Sequence, residues 1–188
     1  MIKNLSLLAL FALAFTSCKK EDLADKNADF QKLYSQLIDD GKTEDFTMDT
    51  EVHSYSFVLN ENKSLFFIGY KSHEDLKSTD YRIEITNEDD GGVVYDGLHK
   101  FNHKKVSYVS PNSPVLFESG VSYTVKRIQT NWGENIARTI GELVKTDESD
   151  YPIANGIMTI TSTEFYDVDA STAGNESIGV PQIDLIFE

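Results

Sequence analysis

Apolar positions along the chain fall into three patterns, and each predicts a different element. The first is a continuous run from Leu5 to Phe15, broken only by Ser6. The second is a stripe in which Phe30, Leu33, Tyr34, Leu37 and Ile38 recur at i, i+3, i+4, i+7 and i+8. That spacing lines one face of a helix over about 28–39. Asn27 or Asp29 suits its N-cap, and Gly41 suits the position past its end. The expected role is docking on the body of the domain, with partner binding as the alternative.

The third pattern, from about residue 50 onward, is strand-like alternation. Tyr55 to Leu59 ends at the turn Asn60-Glu61-Asn62-Lys63, and the aromatic-rich run Leu65 to Tyr70 follows. Tyr81 to Thr86 alternates apolar and polar, then Asn87 to Gly92 turns the chain into Val93-Val94-Tyr95, an acidic hairpin. Further strands are expected at 105–110, 114–118 and 121–129, and over Gly156 to Thr161 and Gln182 to Phe187. Ser119-Gly120 reads as a tight turn. Ile136 to Lys145 is ambiguous: Ile136, Ile140, Leu143 and Val144 fit a helical stripe, but Gly141 and the short length weaken it. Many short strands without helical crossovers predict an all-β fold, an antiparallel β-sandwich or jelly-roll-like domain over 50–188. An amphipathic helix and linker, 30–49, precede it. The last strand is expected inside a sheet, so its removal would unfold the domain.

The N-terminal run is too short for a membrane span, which needs about 20 apolar residues. With Lys3 before it and small residues after it, segment 1–17 reads as a secretory signal peptide. Phe15-Thr16-Ser17-Cys18 resembles the bacterial lipobox. The resemblance implies cleavage before Cys18, diacylation of its thiol and acylation of the new amino group. Residues 18–29 would then be a lipidated tether, each buried CH₂ adding about 0.8 kcal/mol of membrane affinity. Lys19-Lys20-Glu21-Asp22 resembles the charged stretch that follows the cysteine in surface lipoproteins of the Bacteroidota. It implies an outer-membrane lipoprotein facing the cell surface, the periplasmic face being the alternative. Tyr123 to Arg127 and Ile157 to Tyr166 are similar to small β-sandwich lipoproteins of that group, which mostly lack an assigned activity and imply no catalytic residues.

Charge narrows the partners. The chain carries a net charge of −14 with a pI near 4.6. Lys104-Lys105 and Lys126-Arg127 are isolated basic pairs, so nucleic-acid binding is not expected. Cys18 is the single cysteine, so with it acylated the domain has no disulfide, thiolate metal site or cysteine nucleophile.

Candidate chemistry is sparse. The sequence has no Gly-x-Ser-x-Gly elbow, His-Glu-x-x-His helix or phosphate-cradling glycine loop, and an enzyme is not expected. The histidines are His53, His73, His99 and His103. His99 and His103 near Asp96 invite a metal reading, though exposed loop histidines are the commoner case. Acidic loops at Asp89, Asp90, Asp167 and Asp169 offer a structural calcium site. They do not follow the EF-hand register, since Gly91 at its sixth position puts Thr86 first and Gly97 last. A carboxylate-based glycoside hydrolase, using Asp167 and Asp169 with Asp147, Glu148 and Asp150, is the least expected reading. Trp132, flanked by Asn131 and Asn135, would stack on a sugar face, with Tyr166 a weaker candidate; otherwise Trp132 plugs the sandwich edge. The expected function is a lipid-anchored, non-catalytic binding or adhesion module, with carbohydrate as the leading ligand. The alternative is an envelope structural or accessory subunit docking on an outer-membrane protein through the helix at 28–39.

Overall fold

A computed structural model describes residues 28–48, 50–135, 140–166 and 179–188. Cys18, Asp167 and Asp169 lie outside these residues, as does most of the tether. One helix, α1 (Asp29–Asp39), precedes the strands β1 (Glu44–Met48), β2 (Val52–Leu59), β3 (Lys63–Tyr70), β4 (Tyr81–Asn87) and β5 (Val93–His99). The strands β6 (Ser107–Val109), β7 (Val115–Phe117), β8 (Ser122–Gln129) and β9 (Ile140–Lys145) follow. The chain continues through β10 (Ile153–Asn155), β11 (Met158–Tyr166), β12 (Gly179–Pro181) and β13 (Asp184–Phe187).

These strands form an all-β sandwich with antiparallel pairing. The large sheet has the order β10-β11-β2-β8-β4-β5. A second sheet runs β13-β3-β6, with β7 also paired to β3. A third, β1-β9-β12, meets the large sheet through contacts of β12 with β2 and β11. Alternation sets which side chains face inward: His53, Tyr55, Phe57 and Leu59 on β2, and Tyr123, Val125, Arg127 and Gln129 on β8, are all buried.

The amphipathic stripe docks α1 on the body. Phe30, Leu33, Tyr34 and Leu37 are buried, each contributing about 1.5–3 kcal/mol. Phe30 stacks on Tyr55 at 5.5 Å, Gln31 Nε2 donates to Asp184 Oδ2 at 3.0 Å, and Asn155 Nδ2 donates to Gln36 Oε1 at 2.8 Å. The helix ends as expected. Gly41 has φ +91°, its N–H meets the Ile38 carbonyl, and the Lys42 N–H meets that of Leu37. Its start differs, because Ala28 holds the N-cap without a side-chain hydrogen bond and Asp29 pairs with Lys32 at 3.7 Å instead.

Three other expectations change. The stretch after the helix, read as linker, contains β1. The ambiguous segment ends as β9, pairing with both β1 and β12. β13 pairs with β3 at the edge of its sheet rather than inside it, with α1 packed against it.

Candidate functional site

Where β3 leaves its sheet, the chain runs through Lys71, Ser72 and His73 into a 3-10 turn, Glu74–Leu76. His73 caps that turn, its Nδ1 accepting from the Asp75 N–H at 3.3 Å. The Ser72 N–H bonds to the Asn102 carbonyl at 2.9 Å, which ties the 100–106 loop to this crossing. Asn102 folds that loop tightly, its Oδ1 accepting the Lys104 N–H at 2.7 Å. His103 and Lys104 are thereby presented beside His73 and Lys71.

The third sheet supplies the remaining wall. Phe46 on β1 lies opposite Glu142 on β9, and its ring is 66% exposed. Together these residues line an open cleft of about 360 Å³. Lys71 is neutralised by an ion pair with Glu142. Among the described residues Lys104 has no acidic partner. Glu74 also lines the cleft, so Lys71, His73, His103 and Lys104 gather around one exposed aromatic ring together with two carboxylates, on a chain of net charge −14. Such a cleft is suited to a ligand with an anionic group and an apolar face.

Behind the cleft the interior is polar. Ser72 is buried, and its hydroxyl lies 3.2 Å from the Tyr81 hydroxyl. Tyr81 and Tyr70 meet edge-on at 5.2 Å, and the guanidinium of Arg127 rests against both, its Cζ 5.7 Å from each ring centroid. Burial pushes the Tyr70 phenol up to about 12. Arg127 is fully buried, as are Gln129 and, within 1%, His53. His53 pairs across the ladder with Arg127 and packs on Phe165 at 4.8 Å. Burial first, then the Arg127 charge, holds the imidazole well below its ordinary value and therefore neutral. Gly141 on β9 is required here, because a Cβ there would come within 2.8 Å of the His53 ring.

The chain matches no protein-family model and no curated protein.

The residues singled out from sequence are dispersed. Trp132 lies in a single helical turn, Trp132–Asn135, directly after β8. Its ring is half-buried with the indole nitrogen inside, nearer to a plug than to an open platform. Asn131 takes φ +59° in the turn, and Asn135 Nδ2 donates to the Asn131 carbonyl at 3.0 Å. Asn131 builds the turn through its backbone, and Asn135 through its side-chain amide. Tyr166 ends β11 among the charges of Lys126, Glu164 and Glu84.

Asp90 closes the β4–β5 turn by accepting the Gly92 N–H at 2.7 Å, and the Asp89 N–H donates to Asn87 Oδ1 at 2.9 Å. Among the described residues no three His, Cys, Asp or Glu side chains converge as a metal-holding group. Asp96 is engaged by Arg82, and His99 Nε2 lies 2.6 Å from the Tyr95 hydroxyl. Only His103 of that trio reaches the cleft. Phe46, Lys71 and Glu142 went unread in the sequence, and His73 stood only as one of four histidines, because the four residues come from three separate segments. The sole local signal was the basic pair Lys104-Lys105.

Proposed function

We propose that the chain is a non-catalytic binding module of the bacterial envelope, anchored by acyl chains on Cys18, and that its cleft takes an acidic saccharide. The observation that carries this reading is the placement of Lys104, with His73 and His103, beside the exposed ring of Phe46 in one cleft. A pyranose face stacks on an aromatic ring through its C–H groups. A carboxylate or sulfate on the same sugar meets the ammonium of Lys104, which has no acidic partner among the described residues, and the neighbouring imidazoles. The acidic remainder of the surface repels anions elsewhere, so it favours this one point of entry. The Thr16-Ser17-Cys18 motif supports the anchor, and the charged residues after it support display at the outer face of the outer membrane.

Docking on an outer-membrane protein through α1 has less support. The stripe that motivated it is buried against the chain's own strands, with Tyr34 only 3% exposed. The testing experiment is a thermal-shift screen of the full chain against neutral, uronate-bearing and sulfated oligosaccharides, with and without calcium. A rise confined to the acidic saccharides is expected. A rise with neutral sugars alone, or with calcium alone, would overturn the assignment of the cleft.

A further inference from the structure

Arg127 has a feature that the cleft does not explain. Its side chain is fully buried, and among the described residues it forms no ion pair. Its Nη1 reaches the Glu51 carbonyl at 3.5 Å, while Nε and Nη2 have no hydrogen-bond partner. These two nitrogens form one edge of the guanidinium, the edge that grips a carboxylate side-on. The same protein shows that geometry at its surface: Arg82 donates from Nε to Asp96 Oδ1 at 2.7 Å and from Nη2 to Oδ2 at 2.9 Å.

The neighbours of Arg127 are unsatisfied too. Both ring nitrogens of His53 and both amide atoms of Gln129 are buried without partners. All three side chains project from adjacent strands, β2 and β8, onto the same inner face. The faces of Tyr70 and Tyr81 attract the cation but accept none of these in-plane N–H bonds. Buried polar groups are normally hydrogen-bonded, and a buried charge normally has a counter-charge.

We propose that the polar end of the sandwich interior is a binding site for a small monovalent anion, chloride or a short carboxylate such as formate. The anion is held by the Nε–Nη2 edge of Arg127, with a Gln129 amide N–H and a His53 ring N–H completing its shell. The site is distinct from the cleft: none of Arg127, Gln129 and His53 lines it, and Ser72, which does, reaches inward only to the Tyr81 hydroxyl.

The test is the unfolding midpoint of the full chain at constant ionic strength, titrating chloride or formate against a bulky organic sulfonate. The wild type is expected to show a midpoint that rises and saturates, as for any ligand bound only by the folded state. The ion with the lower half-saturation is the preferred occupant. Arg127→Met should lose the saturating rise, whereas Lys71→Ala with Lys104→Ala should keep it, which separates this site from the saccharide cleft. Gln129→Leu keeps the guanidinium and should raise the half-saturation concentration about tenfold, the loss of one hydrogen bond to an ion. That variant carries the test if Arg127→Met does not fold. No saturating rise in the wild type, or the same rise in both Arg127→Met and Gln129→Leu, would overturn the proposal.

Discussion

The two ends of the sandwich interior are built on the same strands and solve burial in opposite ways. At one end Phe57 and Tyr123 meet Phe117 and Phe187, with ring centroids 4.7–6.2 Å apart. Four residues along β2, about 13 Å at 3.3 Å per residue, the inward side chain is His53 opposite Arg127. The aromatic end gains stability chiefly from contact area, its one phenol, Tyr123, accepting the Glu118 N–H at 3.0 Å. The polar end carries a guanidinium, an imidazole and an amide whose desolvation opposes folding. A fold in need only of stability would fill both ends with apolar side chains. The polar end also adjoins the cleft through Ser72 and Tyr81.

The comparison is broken most forcefully at the aromatic end. Phe57→Ala removes a fully buried ring that touches Tyr55, Phe117, Tyr123 and Phe187, and should cost about 3–5 kcal/mol in denaturant unfolding. Arg127→Met at the other end should cost less than about 1 kcal/mol in anion-poor buffer, or stabilise, because an apolar replacement spares the desolvation of a buried charge. Equal losses in the two variants would erase the distinction.

The pH dependence sharpens it. His53 is held below its ordinary value of 6.5 in the folded state, so the unfolded chain binds the extra proton first. Stability should therefore fall as pH drops below 6.5 toward the folded value, and His53→Phe should flatten that limb. Asp184 moves the other way. Burial raises it, against hydrogen bonds from Tyr108 and Gln31, so its contribution to stability is lost as pH rises above 3.8. Asp184→Asn should raise the melting temperature at neutral pH. The smallest stability effects belong to the cleft, where Phe46→Ala and Lys104→Glu should each change folding by less than about 0.5 kcal/mol. Both should nevertheless weaken acidic-saccharide binding about tenfold or more.

Local patterning made the fold largely legible. The 3.6-residue stripe of α1 and the period-two strands β2, β4 and β8 each carry their burial in the order of their residues. β1 and β12 were not legible, because a five-residue strand such as Glu44–Met48 and a three-residue strand such as Gly179–Pro181 pair only with β9 and have little pattern of their own. β9 itself was obscured by Gly141, whose missing side chain accommodates the His53 ring.

The candidate site was less legible, since its cleft joins positions 46, 71–74, 103–104 and 142. One clue was available all the same. The alternation that sends Tyr123 and Val125 inward also sends Arg127 and Gln129 inward, and a guanidinium at a core position marks a special site. Trp132 drew attention for its residue type, yet its turn places the indole nitrogen inside.

The most direct test of the cleft is calorimetric titration of the full chain with an oligouronate, comparing the wild type with Lys104→Glu and Trp132→Ala. Binding in the wild type, its loss in Lys104→Glu and its retention in Trp132→Ala are the predicted results. Undiminished binding in Lys104→Glu, or loss in a folded Trp132→Ala, would contradict the account and return the saccharide site to the turn after β8.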